Sequence, residues 1–188
     1  MNREQWLTEA AEIMERDLFE TPLPRVRVSC GWPSGGGKRK KGVVIGECWA
    51  PAASADTTTE VFISPVLDDP ITVLATLAHE LCHAYLPPED GHKAPFARLA
   101  GHIGLMKPWT ATTPGPDLTT FLETNLLRRL PKYPHAGMVT LAGGEPKQST
   151  RMIKLECPRD GYVVRTTRKW LDTGLPSCPC GLAMVEAL

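Results

Sequence analysis

The sequence predicts an α+β protein: helices packed on a small, mainly antiparallel sheet, followed by a small C-terminal β hairpin. Three observations carry this. Short runs of alternating apolar residues bounded by glycine and proline recur at close spacing between residues 26 and 64. Long segments with helical periodicity stand before and after them. The last forty or so residues change character, with three of the six cysteines gathered there.

Residues 1–20, "MNREQWLTEAAEIMERDLFE", place Trp6, Ala10, Ile13, Met14 and Leu18 at helical spacing. The acids scattered through this stretch, and its lack of an unbroken apolar run, exclude a secretory leader. Pro22 and Pro24 end the helix. "RVRVSCGW" alternates Val26, Val28, Cys30 and Trp32 as a strand does. "PSGGGKRKKG" follows as a loop whose basic run, residues 38–41, is a weak candidate for nucleic-acid contact beside the simpler reading of a solvated loop. "GVVIGECW" and "TEVFISP" read as two further strands. Asp68 or Asp69 then caps a helix that has Pro70 in its first turn. From 71 to 86 that helix is apolar nearly all round except for two threonines and a His-Glu-His set, the pattern of a helix buried in a core. Pro87 and Pro88 stop it. A second helix is expected from about Ala94 to His102, and a last one over "LTTFLETNLLRRL". These elements form a domain over 1–131; residues 132–149, rich in Pro and Gly, are expected to be a linker; residues 150–188 form the appendage.

Composition limits the function. The chain has 188 residues, 42% of them hydrophobic and 22% charged, with a formal net charge of zero. It has no overall basic field to recruit nucleic acid, so any such contact must come from a local patch. The longest apolar run is too short to span a bilayer. Six cysteines without a leader point to a reducing, cytoplasmic setting and no structural disulfides.

The chemistry concentrates in "LAHELCHAYLPPEDGHKAPF". At about 100° per residue, His79 and His83 are roughly 40° apart on one helix face, so both imidazoles can reach one ion. Glu80 points about a quarter turn away. H-E-x-x-H suits zinc hydrolysis because the ion activates water and the glutamate takes its proton. The plainer reading, histidines bonded to nearby backbone, leaves two imidazoles and a carboxylate in a buried helix without adequate partners. Leu86 and Glu89 occupy the positions where a metzincin carries glycine and histidine, so that pattern fails. His92 is the favoured third ligand, since the prolines and "EDG" allow the chain to fold back. Glu123 is the alternative. His102 and His135 are expected to be ordinary, and Cys82 to be a buried small residue.

The stretch from His79 to Leu105 resembles the SprT-like metalloproteases, the family that includes the Spartan proteases. His79, Glu80, His83 and His92 match the family motif position for position, and Phe96 matches its aromatic; Lys93 departs from the usual glycine. "GWPSGGG…GECW" and "ISP" resemble the short SprT-like proteins of bacteria and their phages, which would place a phage-encoded chain in the host cytoplasm. The resemblance implies a minimal zincin-like domain. It implies a zinc endopeptidase with Zn²⁺ on the three histidines and Glu80 as general base. Its substrate would be a protein on or near DNA, including DNA-crosslinked protein.

The C-terminal cysteines read as a zinc-ribbon-like element. Cys157, Cys178 and Cys180 are present, and Asp160 stands where a fourth cysteine is expected. Either Asp160 completes a second, structural zinc site or the hairpin holds by packing alone. Arg165, Arg168, Lys169, Tyr162 and Trp170 suit DNA, single-stranded or damaged, through phosphate contacts and stacking. They equally suit a solvated face. A nucleic-acid-binding protein with an inactive zincin core, and a protease with one narrow substrate, are the competing functional readings.

Overall fold

A computed structural model describes residues 1–34, 43–139 and 152–187. The basic run 38–41 and the stretch 140–149 lie outside the described residues. The fold is mixed α+β, with small sheets and five α-helices among the described residues. The chain divides into two units, Met1–Thr140 and Leu141–Leu188.

In the first unit, α1 (Arg3–Leu18) begins with a capping box: Gln5 N–H donates to Asn2 Oδ1 and Asn2 N–H to Gln5 Oε1. It buries Trp6, Leu7, Ala10, Ala11, Ile13 and Met14. Strands β1 (Val26–Cys30), β2 (Gly46–Trp49) and β3 (Thr59–Ile63) form one sheet in the order β1-β3-β2. β2 and β3 pair antiparallel, with Gly46 opposite Ile63 and Cys48 opposite Val61. β1 pairs with β3 in parallel. The sheet, expected to be mainly antiparallel, is therefore mixed: β1 and β2, successive in sequence, lie on opposite sides of β3 and do not pair. Pairing is antiparallel elsewhere among the described strands.

The register puts Val28, Val61 and Ile63 on the face that packs against the helices, all buried. Against that face lies α2 (Pro70–Tyr85). Asp69 caps it, accepting from the backbone N–H and hydroxyl of Thr72. Every residue from Val73 to Cys82 is buried. After α3 (Ala94–His102), a two-residue ladder of β4 (Leu105–Met106) and β5 (Thr113–Pro114) leads to α4 (Pro116–Phe121). The predicted last helix does not run on as α-helix: Leu122–Leu127 winds as a π-helical turn, burying Leu122 and Leu126.

Residues 132–139, expected to be linker, pack on the first unit. Trp6 Nε1 donates to Pro131 O at 2.8 Å, and the Trp6 and Tyr133 rings lie 4.7 Å apart. His135 Nε2 donates to Pro65 O at 2.8 Å, which leaves Nδ1 to accept from Arg3 at 3.2 Å. Met138 N–H donates to Pro65 O. Proline and glycine mark irregular backbone; they do not mark exposure.

The second unit has β6 (Ile153–Glu156), β7 (Val163–Thr166) and β8 (Val185–Glu186) in the order β7-β6-β8, plus α5 (Arg168–Leu171). Arg168, Lys169 and Trp170 therefore sit on a short helix and not on the hairpin strand expected.

The packing of residues 132–139 gives a prediction. Tyr133→Ala lowers the stability of the first unit by about 3 kcal/mol, the scale of a buried aromatic truncation. A linker residue would move it by under about 0.5 kcal/mol. Chemical denaturation followed by tryptophan fluorescence distinguishes the two.

Candidate metal centres

α2 is stopped by Pro87 and Pro88, and a 3₁₀ turn over Pro88–Asp90 reverses the chain. Asp90 N–H donates to Pro87 O and Lys93 N–H to Asp90 O. Gly91 completes the reversal at φ 47°, ψ −126°, a conformation that L side chains resist. The next residue is His92. α3 then starts at Ala94, with Pro95 in its first turn, and its Phe96 is fully buried.

The turn brings three imidazoles together. His92 Nε2 is 3.1 Å from His83 Nε2 and 3.2 Å from His79 Nε2. Two nitrogens bound tetrahedrally to one zinc at about 2.0–2.1 Å lie about 3.3–3.4 Å apart. The observed spacing is within a few tenths of an ångström of that. Three ring nitrogens facing one point cannot all carry protons, so this donor set fits a cation better than it fits itself. Burial, followed by the neighbouring imidazoles, lowers His79 to about 3 and His83 to about 4. Both are neutral at neutral pH, with a lone pair free to ligate. Exposure grades from buried His79 through half-buried His83 to exposed His92, so the site opens toward His92.

Phe96 fixes the rings. Its centroid lies 4.4 Å from His83 in a stacked arrangement, 5.0 Å from His79 and 4.8 Å from His92. Glu80 is buried at 5% exposure and reaches a cleft of about 850 Å³ that all three histidines also line. Across the cleft stand Gly46, Glu47 and Cys48 of β2, and Thr110–Thr112 form a further wall. Burial and then the charge of Glu80 push the Cys48 thiol up to about 12, and the same causes raise Cys82. Both stay protonated thiols. Cys82 is fully buried and outside the histidine group, and so is Glu123 outside it. His102 is exposed at the end of α3, and His135 serves the packing described above.

In the second unit Cys157, Asp160, Cys178 and Cys180 offer ligand atoms that, like those of the histidine group, lie within 4.8 Å of one another. Cys157 Sγ is 3.5 Å from Cys180 Sγ, and Cys178 Sγ is 3.4 Å from Asp160 Oδ2. Cys157 and Asp160 sit on one turn, and Cys178 and Cys180 on another, each closed by a left-handed glycine, Gly161 at φ 71° and Gly181 at φ 90°. Gly161 N–H donates to Cys157 O and Gly181 N–H to Cys178 O. Burial acts to raise the Cys157 thiol, but backbone N–H groups of Asp160 and Arg159 outweigh it and hold the group below its usual value. Both groups can hold a metal ion.

Of the residues expected to meet nucleic acid, Tyr162 and Trp170 are 51% and 59% exposed, and Lys169 Nζ lies 5.2 Å over the Trp170 ring. Arg165 is exposed. Arg168 is committed elsewhere, making two bonds to Glu186 at 2.9 and 3.2 Å. Gly46 is the position whose importance shows only in three dimensions; Phe96, singled out by the family resemblance, proves to touch all three imidazoles. Compared with known protein families, with curated proteins and with solved structures, the chain finds no match in any of the three.

Two predictions follow from these geometries. Phe96→Ala weakens metal binding at the histidines by about 10–100-fold, the usual scale for losing a group that orients ligands; competition with a chromophoric chelator measures it. Asp160→Cys tightens metal binding in the second unit and Asp160→Ala weakens it, while the histidine site keeps its stoichiometry. Metal analysis of the purified variants checks both, and an unchanged affinity in Asp160→Ala would remove Asp160 from the ligand set.

Proposed function

We propose that the protein is a zinc-dependent endopeptidase of SprT-like type, with a minimal zincin-like first unit and a zinc-ribbon-like second unit. The observation that carries this is the convergence of three imidazoles, with His92 Nε2 3.1 Å from His83 Nε2 and 3.2 Å from His79 Nε2, in one cleft with the Glu80 carboxylate. His79, His83 and His92 would hold the ion. When bound, zinc supplies an activated water and polarises the scissile carbonyl. Glu80 takes up a proton on its carboxylate as the new C–O bond forms. It returns that proton to the amine nitrogen as the C–N bond breaks.

The cleft wall supports a peptide substrate. β2 is an edge strand among the described residues, paired only to β3. Its other edge offers backbone donors and acceptors to an extended chain lying past the histidines. The resemblance of His79, Glu80, His83, His92 and Phe96 to the family motif supports the same reading.

A second reading rests on a separate observation, the exposed Tyr162 and the Lys169–Trp170 pair, which suit single-stranded DNA. In it the protein binds nucleic acid and cleaves nothing. DNA binding alone is also compatible with the endopeptidase reading, in which DNA would bring the substrate to the enzyme.

One experiment decides among them. Purified wild type and Glu80→Gln are incubated with a DNA-binding protein, with and without single-stranded DNA. The endopeptidase reading expects cleavage by wild type and a loss of about 10²–10⁴-fold in Glu80→Gln, with zinc content unchanged. DNA binding without cleavage by either protein would favour the second reading. Cleavage of one particular protein regardless of DNA would identify a protease of narrow specificity.

A further inference from the structure

Gly46 does not need to be glycine for its own backbone: it lies in a regular strand, and it is absent from the residues with positive φ. What it lacks is room. A Cβ built on Gly46 would lie 2.6 Å from Glu80 Oε1, 2.6 Å from Thr76 Cγ2 and 3.0 Å from Glu80 Cγ. Carbon atoms in contact sit about 3.5–4.0 Å apart, so the clash with Thr76 is close to 1 Å deep.

Neither side of that contact yields easily. Thr76 is fully buried, and its hydroxyl donates to Thr72 O at 2.8 Å, so turning its methyl away breaks a buried hydrogen bond. β2 is held by its ladder to β3, and Ser64 N–H donates to Ile45 O just before it. The group that can move is the Glu80 carboxylate, the far end of a flexible side chain.

We infer that Gly46 is a positioning residue for Glu80: its missing side chain creates the space between α2 and β2 in which the carboxylate reaches the cleft that the three histidines line. This rests on the endopeptidase reading for its consequence in catalysis, but not for the packing itself. An alanine at 46 displaces the carboxylate by a distance of the order that costs about 100-fold in rate when a catalytic group is misplaced.

The test uses the full-length, zinc-loaded protein. Gly46→Ala lowers kcat by about 10–100-fold, moves KM by less than about threefold and leaves zinc stoichiometry unchanged. Wild-type kcat in Gly46→Ala, or a rise in KM alone, overturns the proposal.

A second readout is independent of any cleavage. Gly46→Ala lowers the melting temperature in the wild-type background, and by less than half as much when Thr76→Ser and Glu80→Ala remove the atoms it meets. Equal losses overturn the contact even if the protein proves to be no peptidase. If Gly46→Ala alone does not fold, a folded triple variant supports the proposal and an unfolded one overturns it.

Discussion

The structure turns on the burial of α2. This helix is enclosed from Val73 to Cys82, and within that span it carries His79 at 6% exposure and Glu80 at 5%. An unsatisfied buried polar group costs about 1–3 kcal/mol, and more when it is charged. A fold that accepts this twice in succession must arrange partners around the pair. His83 on the next turn, His92 on the reversal after Pro87–Pro88, and the space left by Gly46 are that arrangement. Phe96 closes the set from α3, so that one aromatic ring fixes three imidazoles contributed by two separate segments.

What could be read in the sequence was what is periodic or local. The caps of α2, its stop at the prolines, the span of α3 and the common face of His79 and His83 depend on neighbours within a few residues. The sequence therefore shows them. The fold-back that carries His92 was legible for the same reason, since a double proline followed by "EDG" leaves the chain little choice. The parallel pairing of β1 with β3 was not, because it depends on where the chain crosses over after β1. Nor was the docking of buried Tyr133 and half-buried His135, whose partners Trp6, Arg3 and Pro65 stand far away in sequence. Gly46 was invisible for a related reason. In sequence it is one glycine among several, and its meaning lies in the distance to Glu80 on a helix more than thirty residues later.

The two candidate metal groups differ in the setting that surrounds them. The histidine group opens on a large cleft and needs no ion to explain the first unit's core, which is built from α1, α2 and the sheet. The cysteine group is the reverse. Among the described residues the buried core of the second unit is Leu155, Cys157, Cys178 and Met184, so two of these four enclosed residues are themselves donors. A unit spanning Leu141–Leu188 lies near the roughly 40-residue size below which a chain rarely folds on apolar burial alone. A metal there would complete the core; a metal at the histidines would complete a reaction site.

This contrast also bears on Asp160. A carboxylate is a harder, more weakly held ligand than a thiolate for zinc, yet it is the one exposed member of the group. Its Oδ1 accepts from Tyr162 N–H at 3.1 Å while its other oxygen faces Cys178, so the turn that positions it is set by the backbone before any ion binds. Three sulfurs on buried or half-buried positions and one preplaced carboxylate at the surface make a site whose weakest bond is also its most accessible. A metal held there would therefore exchange with solvent first at Asp160, the exposed member of the group. Asp160 and the exposed Tyr162 share one short turn, joined by the bond from Tyr162 N–H to Asp160 Oδ1.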